Sequence, residues 1–518
     1  MHSALNDFID SLKKIGLLEI ISQTPGDLSA AMKNIGEFQR TIELILRPRN
    51  KAEVIKIVEV ANKAKISLHP YSRGCNWGYG SKLPPGNAKV LLNLSLMDRI
   101  LLLDEEMGIV TIEPGVSQKQ IADELLRLGS KFHIDVTGSG RNTSVLGNAL
   151  ERGVAYQGLR VEQVVGLEVL LGNGTVLRTG FGEFPNPVLA GLYSHGQGPS
   201  LDGLFFQSNL GIVLEAKIRL QKNSAALHTL SLSVNDSLLA PLVDTLAELL
   251  RDDCLHGIPH IADRERLIST LAPLICDQEP LTSAESRALL MRVIPGDWTL
   301  TAAVIGTSAV ANEKLREVLR ALKKFGRTYV NSQTSSAWKK IIEQMLIKLF
   351  ASREEQIVIN ASKELRGLHS GQPTNAGVRF LQSQPNATLD RGELGFLLAT
   401  PLAPLRGESA ELFRDLTRKI AERHKVKFAI TLNLVSDYVL EAVVSAHFTK
   451  NQANEITNAH AFINELNYEF SARGLYAYRI NIDQMRDLRA PDTGLNKTIE
   501  NIRKTLDPNG VISPGRYH

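Results

Sequence analysis

The clearest chemical signal in the sequence lies in two stretches rich in glycine and small polar residues, PYSRGCNWGYG at 70–80 and VTGSGRNTSVLGNALERGVAYQG at 136–158. Gly138, Gly140, Gly147 and Gly153 have no Cβ, so the main chain can turn left-handed and a ligand can lie against its N–H groups. Such a surface suits a large anionic cofactor. Glycine and asparagine also build ordinary surface turns, and the recurrence of the pattern is what favours the binding reading. A third grouping, Cys254, His256 and His260 in CLHGIPHIAD, is too loosely spaced and lacks a fourth ligand, so it reads as scattered side chains and no metal is expected.

The elements that must carry these stretches are strands and helices in two different arrangements. Residues 1–40 read as a helical arm, with Leu5, Phe8, Ile9 and Leu12 at helical spacing, expected to pack on the surface or on a partner subunit. From Arg47 a strand, helix, strand unit leads into the first glycine-rich turn. A helix is expected over 118–128, and Gly172-Asn173-Gly174 marks a hairpin between two strands. Past Lys222 the pattern becomes strand then helix, repeated, with alternating strands. That predicts an antiparallel sheet with helices on one face, an α+β fold, and a boundary near residue 222. The closing segment is punctuated like the first part and is expected to return to it.

A chain of 518 residues is long enough for two or three domains and for burying a large cofactor. Its 59 basic and 55 acidic residues leave a formal charge of +4 with no long basic block, so nucleic acid is not implied as a partner. Three cysteines, Cys75, Cys254 and Cys276, are too few and too irregular for a disulfide framework. Asp7 and Asp10 interrupt the apolar residues of the N-terminus, and no apolar run is long enough to cross a bilayer. A cytoplasmic protein without membrane partners is expected.

Together, PYSRGCNWGYG, SVLGNALERGVAY, LDGLFFQSNLGIVLEAKI and the ending DPNGVISPGRY resemble, in order, the vanillyl-alcohol oxidase and p-cresol methylhydroxylase (PCMH-type) group of FAD-dependent oxidoreductases. The resemblance implies a two-domain fold. An FAD-binding domain at 41–222 is completed by 474–518, and a cap at 223–473 is an antiparallel sheet covered by helices, ferredoxin-like. It also implies that the first loop wraps the pyrophosphate through Ser72, Arg73, Gly74, Cys75, Asn76 and Gly78, since buried phosphate charge needs several donors at once. Arg73 reads equally as a solvated loop cation. By the same resemblance Thr137, Gly138, Ser139, Ser144, Gly147, Asn148, Gly153 and Val154 line the flavin, and Gly211, Ile212 and Val213 hold the adenine side. Arg516 is implied to contact either the cofactor or the domain seam, with a surface ion pair as the alternative.

Members of the group bind a phenol as phenolate and pass a hydride to flavin N5, and the residues matching that site are Tyr79, Tyr478 and Arg479, with Tyr156 as a further cavity tyrosine. Stabilising the anion eases hydride loss from the para carbon. Tyr156 reads alternatively as a hydrogen-bonded core residue. Two departures stand out. Where phenol oxidases of the group carry an aspartate near N5, this chain has Ser139 or Gly138, and a serine is a poor base. The segment that often supplies a histidine tether has Leu440 and Glu441 instead, so non-covalent FAD is expected, with a cysteinyl link through Cys75 or a tyrosyl link as alternatives. Glu441 shares a strand face with Val439 and Val443 and reads either as an acid or base at the flavin or as a surface pairing residue.

The sequence therefore points to an FAD-dependent oxidoreductase acting on a small aromatic, phenolic molecule, as a homodimer, with O2 or another acceptor taking the electrons. The alternatives are a tailoring flavoenzyme for a non-phenolic alcohol, amine or C–C bond, and a flavin-binding protein without turnover.

Overall fold

The computed structural model of the chain describes residues 2–334, 351–487 and 493–517. The parts of the expected cap and closing segments at 335–350, 488–492 and 518 lie outside them.

The first layer is a four-stranded sheet in which Leu44–Leu46 and Leu68–Tyr71 run parallel to Val90–Asn93 between them, with Ile21–Ser22 antiparallel at the edge. The crossover helix Lys51–Ala64 starts where Asn50 accepts a hydrogen bond from Glu53 N and ends at Lys65 in the left-handed region. Asn50→Ala removes that cap and is expected to lower the unfolding free energy by about 1 kcal/mol in a denaturant titration. Phe8 and Leu12 of the helix His2–Lys14 are fully buried in one cluster with Val54, Ile57 and Val58. The arm therefore belongs to this core and does not lie on the surface, because its apolar stripe meets the stripe of the crossover helix.

A five-stranded antiparallel sheet follows, in the order Ile100–Asp104, Ile109–Ile112, Ile212–Arg219, Val164–Leu170, Val176–Arg178. The hairpin expected at 172–174 joins its last two strands. Gln118–Leu128 forms as expected, opened by a reciprocal capping box between Ser117 and Gln120 and closed at Gly129 with φ +62°.

An eight-stranded antiparallel sheet spans Ala226–Val234 to Val439–Thr449. Along its strand 439–449, Leu440, Ala442, Val444 and Ala446 face the largest apolar cluster with the helices Gly407–His424 and Ala453–Ser471. Glu441, Val443 and Ser445 face the other way. The sequence pattern placed helices on one face only, yet Arg264–Gln278 packs on that second face, where its Arg266 bonds Ser445. Pro273 interrupts the pattern of this helix, which hid it from a reading by periodicity.

The closing segment returns to the first layer. Leu68 pairs with Ile512, and the Asp507 carboxylate accepts hydrogen bonds from Val511 N (3.0 Å) and Ile512 N (2.9 Å). Among the described residues no helix is long and apolar enough to cross a membrane.

Candidate active site

One cavity of about 430 Å³ lies between the two glycine-rich stretches and the second face of the large sheet. Its size is typical of ligand pockets. Every residue matched above to the cofactor or to the phenol lines it except Gly78. A side chain on Gly78 would meet Leu398 and Phe396, so that glycine is required by close packing against the sheet.

The first loop leaves the strand 68–71 and turns at Gly74, φ +68°, and at Gly78, φ +79°. Among the described residues, the main-chain N–H groups of Arg73, Gly74, Cys75, Asn76 and Trp77 find no hydrogen-bond acceptor. Five consecutive donors without partners beside a cavity fit a buried anionic group such as a pyrophosphate. Arg73 Nη1 donates to Gly115 O at 2.7 Å and braces the loop. Trp77 Nε1 donates to Ser139 O at 3.1 Å and ties the two stretches together. Burial pushes the Cys75 thiol up to about 12, which keeps it protonated and a poor nucleophile.

In the second stretch Gln118 fixes the loop from behind, accepting from Thr137 N and donating to Gly140 O. Ser144 caps the short helix Val145–Leu150, accepting from Gly147 N at 2.9 Å and donating to Pro114 O at 2.7 Å. A side chain on Gly147 would collide with Ser72 Oγ, so glycine there lets the two loops close on each other. Thr137, Ser139 and Thr143 form a hydroxyl chain with O···O distances of 2.6 and 2.9 Å. No carboxylate joins it. Asp135 is turned away, held by Gln157 N and Gln163 Nε2, and burial raises its carboxyl to about 6.

Tyr79, Tyr478 and Arg479 converge at one end of the cavity. The Arg479 guanidinium carbon lies 4.5 Å from the Tyr79 ring centroid, and its Nη2 donates to Asn76 Oδ1 at 2.6 Å. Tyr79 OH donates to Thr400 Oγ1 at 3.4 Å, and Thr400 Oγ1 donates to Arg479 O at 3.0 Å. Burial raises Tyr79 to about 12 and Tyr478 well above the usual phenol range. Arg479 Nε also sits 3.4 Å from Glu151, which further holds Arg516 as an ion pair and accepts from Tyr517 OH at 3.0 Å. Arg516 thus lines the cavity wall and pairs there with the buried Glu151, not with a surface carboxylate.

Glu441 is buried at this same end, 1% exposed, and accepts from Asn433 Nδ2 at 2.7 Å. Burial raises its carboxyl to about 7, opposed by hydrogen bonds from Asn433 and Tyr478 and by the charge of Arg479. The surface pairing considered from sequence does not occur. Because Asn433 spends its amide hydrogen on Glu441, its Oδ1 accepts from His260 Nδ1 at 2.7 Å, which fixes the histidine tautomer. Tyr156 stands apart from the other tyrosines, its ring 4.7 Å from His260 and 4.9 Å from His369. The chain His260–Asn433–Glu441–Tyr478 connects the two groups.

Sequence reasoning did not assign His260, Asn433 or Arg266 to this wall. For Arg266 no signal was available, because the helix that carries it is itself hidden from periodicity by Pro273. No group of metal-ligating side chains forms among the described residues.

Residues 42–180 match the family described as FAD binding domain. The chain is 27% identical over 496 residues to 1'-carboxy-chondrochloren decarboxylase of Chondromyces crocatus, covering 92% of this chain and 90% of the relative. It is 26% identical to the 4-cresol dehydrogenase [hydroxylating] flavoprotein subunit of Pseudomonas putida, covering 90% and 85%. Among solved structures, 4-ethylphenol oxidase from Gulosibacter chungangensis superposes with a TM-score of 0.87 at 22% identity, covering 100% of this chain and 97% of that one. p-Cresol methylhydroxylase follows with 0.86 at 21%, with the same coverage. With the donor-rich loops, the shared fold and the matched cofactor domain, the chain carries an FAD-binding domain, has the PCMH-type fold and is an FAD-dependent oxidoreductase.

Proposed function

We propose that the enzyme oxidises a para-substituted phenol held at the Tyr79, Tyr478 and Arg479 end of the cavity. The observation that carries this is the convergence of two buried phenol hydroxyls and a guanidinium, from segments 400 residues apart in sequence, on one wall of the cavity. Tyr79 turns its hydroxyl hydrogen from Thr400, and Tyr478 turns its own from Glu441, to the substrate oxygen, and Arg479 supplies positive charge, so the substrate is held as its anion. Glu441, hydrogen-bonded to Tyr478, takes up the phenol proton. Bound FAD supplies the acceptor for the hydride that leaves the para substituent. In this reading residues 41–222 with 474–518 form the cofactor domain and 223–473 the cap. The residues of the two glycine-rich loops hold the dinucleotide, and Gly211–Val213 its adenine side. Adding para-alkylphenols anaerobically to the yellow enzyme should bleach the oxidised flavin band. An unbleached flavin across a panel of phenols sinks the proposal and favours a non-phenolic alcohol, amine or C–C bond as the group oxidised.

A second reading, oxidation with loss of CO2, is favoured by the hydroxyl chain Thr137–Ser139–Thr143, which offers no carboxylate base, and by the relative named a decarboxylase. Departure of CO2 would restore the aromatic ring without proton removal beside the flavin.

The protonated Cys75 and the absence of histidine at 440–441 support non-covalent FAD. Precipitation with acid is expected to leave all the flavin in the supernatant. A yellow pellet after washing would mean a covalent bond.

A further inference from the structure

We propose that Arg266 forms a carboxylate-binding subsite at the end of the cavity remote from the phenol site, so that the substrate is a phenol with an anionic para side chain. The inference rests on the phenol reading above and adds the chemical class of the side chain.

Arg266 lines the cavity, yet of its five N–H donors only one has an acceptor, Nη2 to Ser445 Oγ at 3.0 Å. Its Nε is buried and unpartnered. Among the described residues no carboxylate lies within ion-pair distance. The acid that acts on it through space, Asp263, is already engaged by two main-chain donors, Arg266 N at 2.7 Å and Ile430 N at 2.8 Å. A Phe380 ring, 6.0 Å from the guanidinium carbon, and the neutral His447 complete the surroundings. A buried guanidinium without an ion-pair partner is costly, and an anion brought by the ligand lowers the cost.

Register fixes how far this charge stands from the phenol site. Glu441, Val443 and Ser445 share one face of the strand 439–449, and their partners on the strand Lys427–Leu434 are Asn433, Thr431 and Ala429. Glu441 and Ser445 are four residues apart, on the order of 13 Å at the rise of an antiparallel strand. The ring oxygen meets Tyr478 beside Glu441, and the guanidinium leans in from Ser445. A 4-hydroxyphenyl ring with a short alkanoate tail spans that gap.

The test uses the FAD-loaded enzyme and anaerobic titration of the flavin spectrum with 4-hydroxyphenyl alkanoates from propanoate to hexanoate, their methyl esters, and 4-propylphenol. Wild type is expected to bind the best acid at least about tenfold more tightly than its ester, the loss typical of a charge-assisted hydrogen bond. Arg266→Met should bring acid and ester to the same Kd, and Arg266→Lys should restore part of the preference. Acid and ester bound equally by the wild type, while 4-propylphenol still reduces the flavin, overturns the subsite and leaves phenol oxidation standing. If no phenol in the series shifts or reduces the flavin, both fall. Should Arg266→Met fail to fold, the acid-to-ester ratio in wild type and in Arg266→Lys decides alone.

Discussion

Tyr478→Phe is expected to slow flavin reduction by a para-alkylphenol by about a hundredfold or more, with the flavin content of the protein unchanged. The magnitude follows from what a hydroxyl does when it faces developing charge in a water-excluded site. Removing one such donor costs on the order of 10²–10³ in rate, because nothing in the cavity replaces it. Tyr478 is buried between Glu441, Tyr79 and Arg479, so its hydroxyl has no bulk water to fall back on. Phenylalanine keeps the ring and its packing, and loses only the donor. Arg479→Ala is a harsher change, since that guanidinium also stacks on Tyr79, bonds Asn76 and approaches Glu151. Stopped-flow absorbance under anaerobic conditions, with melting temperature as the control for folding, reads the effect directly. A rate within threefold of wild type would remove Tyr478 from the reaction.

The placement of Tyr478 shows why part of this site was legible in the sequence. Residues that must meet a shared cofactor sit in short strings with little freedom, such as PYSRGCNWGYG and SVLGNALERGVAY, and their glycines are fixed by close approaches like that of Gly147 to Ser72. The hairpin at 172–174 and the helix over 118–128 were equally plain, because turn and cap chemistry are local. His260, Asn433 and Arg266 were not legible. Each sits in an otherwise ordinary strand or helix, and its function depends on which face of the large sheet meets the cavity. Strand alternation gives the two faces of a strand but not which one is covered. Glu441 is the instructive case: its neighbours Val439 and Val443 were correctly set on one face, and only the third dimension shows that this face looks inward. The arm was misjudged for the same reason, since the stripe of Phe8 and Leu12 announces burial without naming its partner.

Glu441→Gln separates a proton acceptor from a packing residue through its dependence on pH. The folded carboxyl is raised to about 7 from an ordinary value of 4.5, chiefly by burial. A group whose folded value is raised contributes stability that is complete below the ordinary value and lost as pH rises through the folded one. The difference corresponds to about 3 kcal/mol. Glutamine resembles the neutral form at every pH. Relative to wild type, the variant should therefore gain about 3 kcal/mol of stability between about pH 4 and about pH 9, measured by denaturant unfolding at each pH. Catalysis should move the opposite way. If the carboxylate takes the phenol proton, wild-type flavin reduction rises with pH through about 7, as a base with that ionisation requires, and the variant loses that limb along with about a hundredfold of its rate at the plateau. A variant that gains stability at alkaline pH but keeps the wild-type rate profile would show a buried carboxyl that only packs against Asn433 and Tyr478. Loss of the rising limb together with the gain in alkaline stability assigns the proton to Glu441, because no change in packing alone produces both.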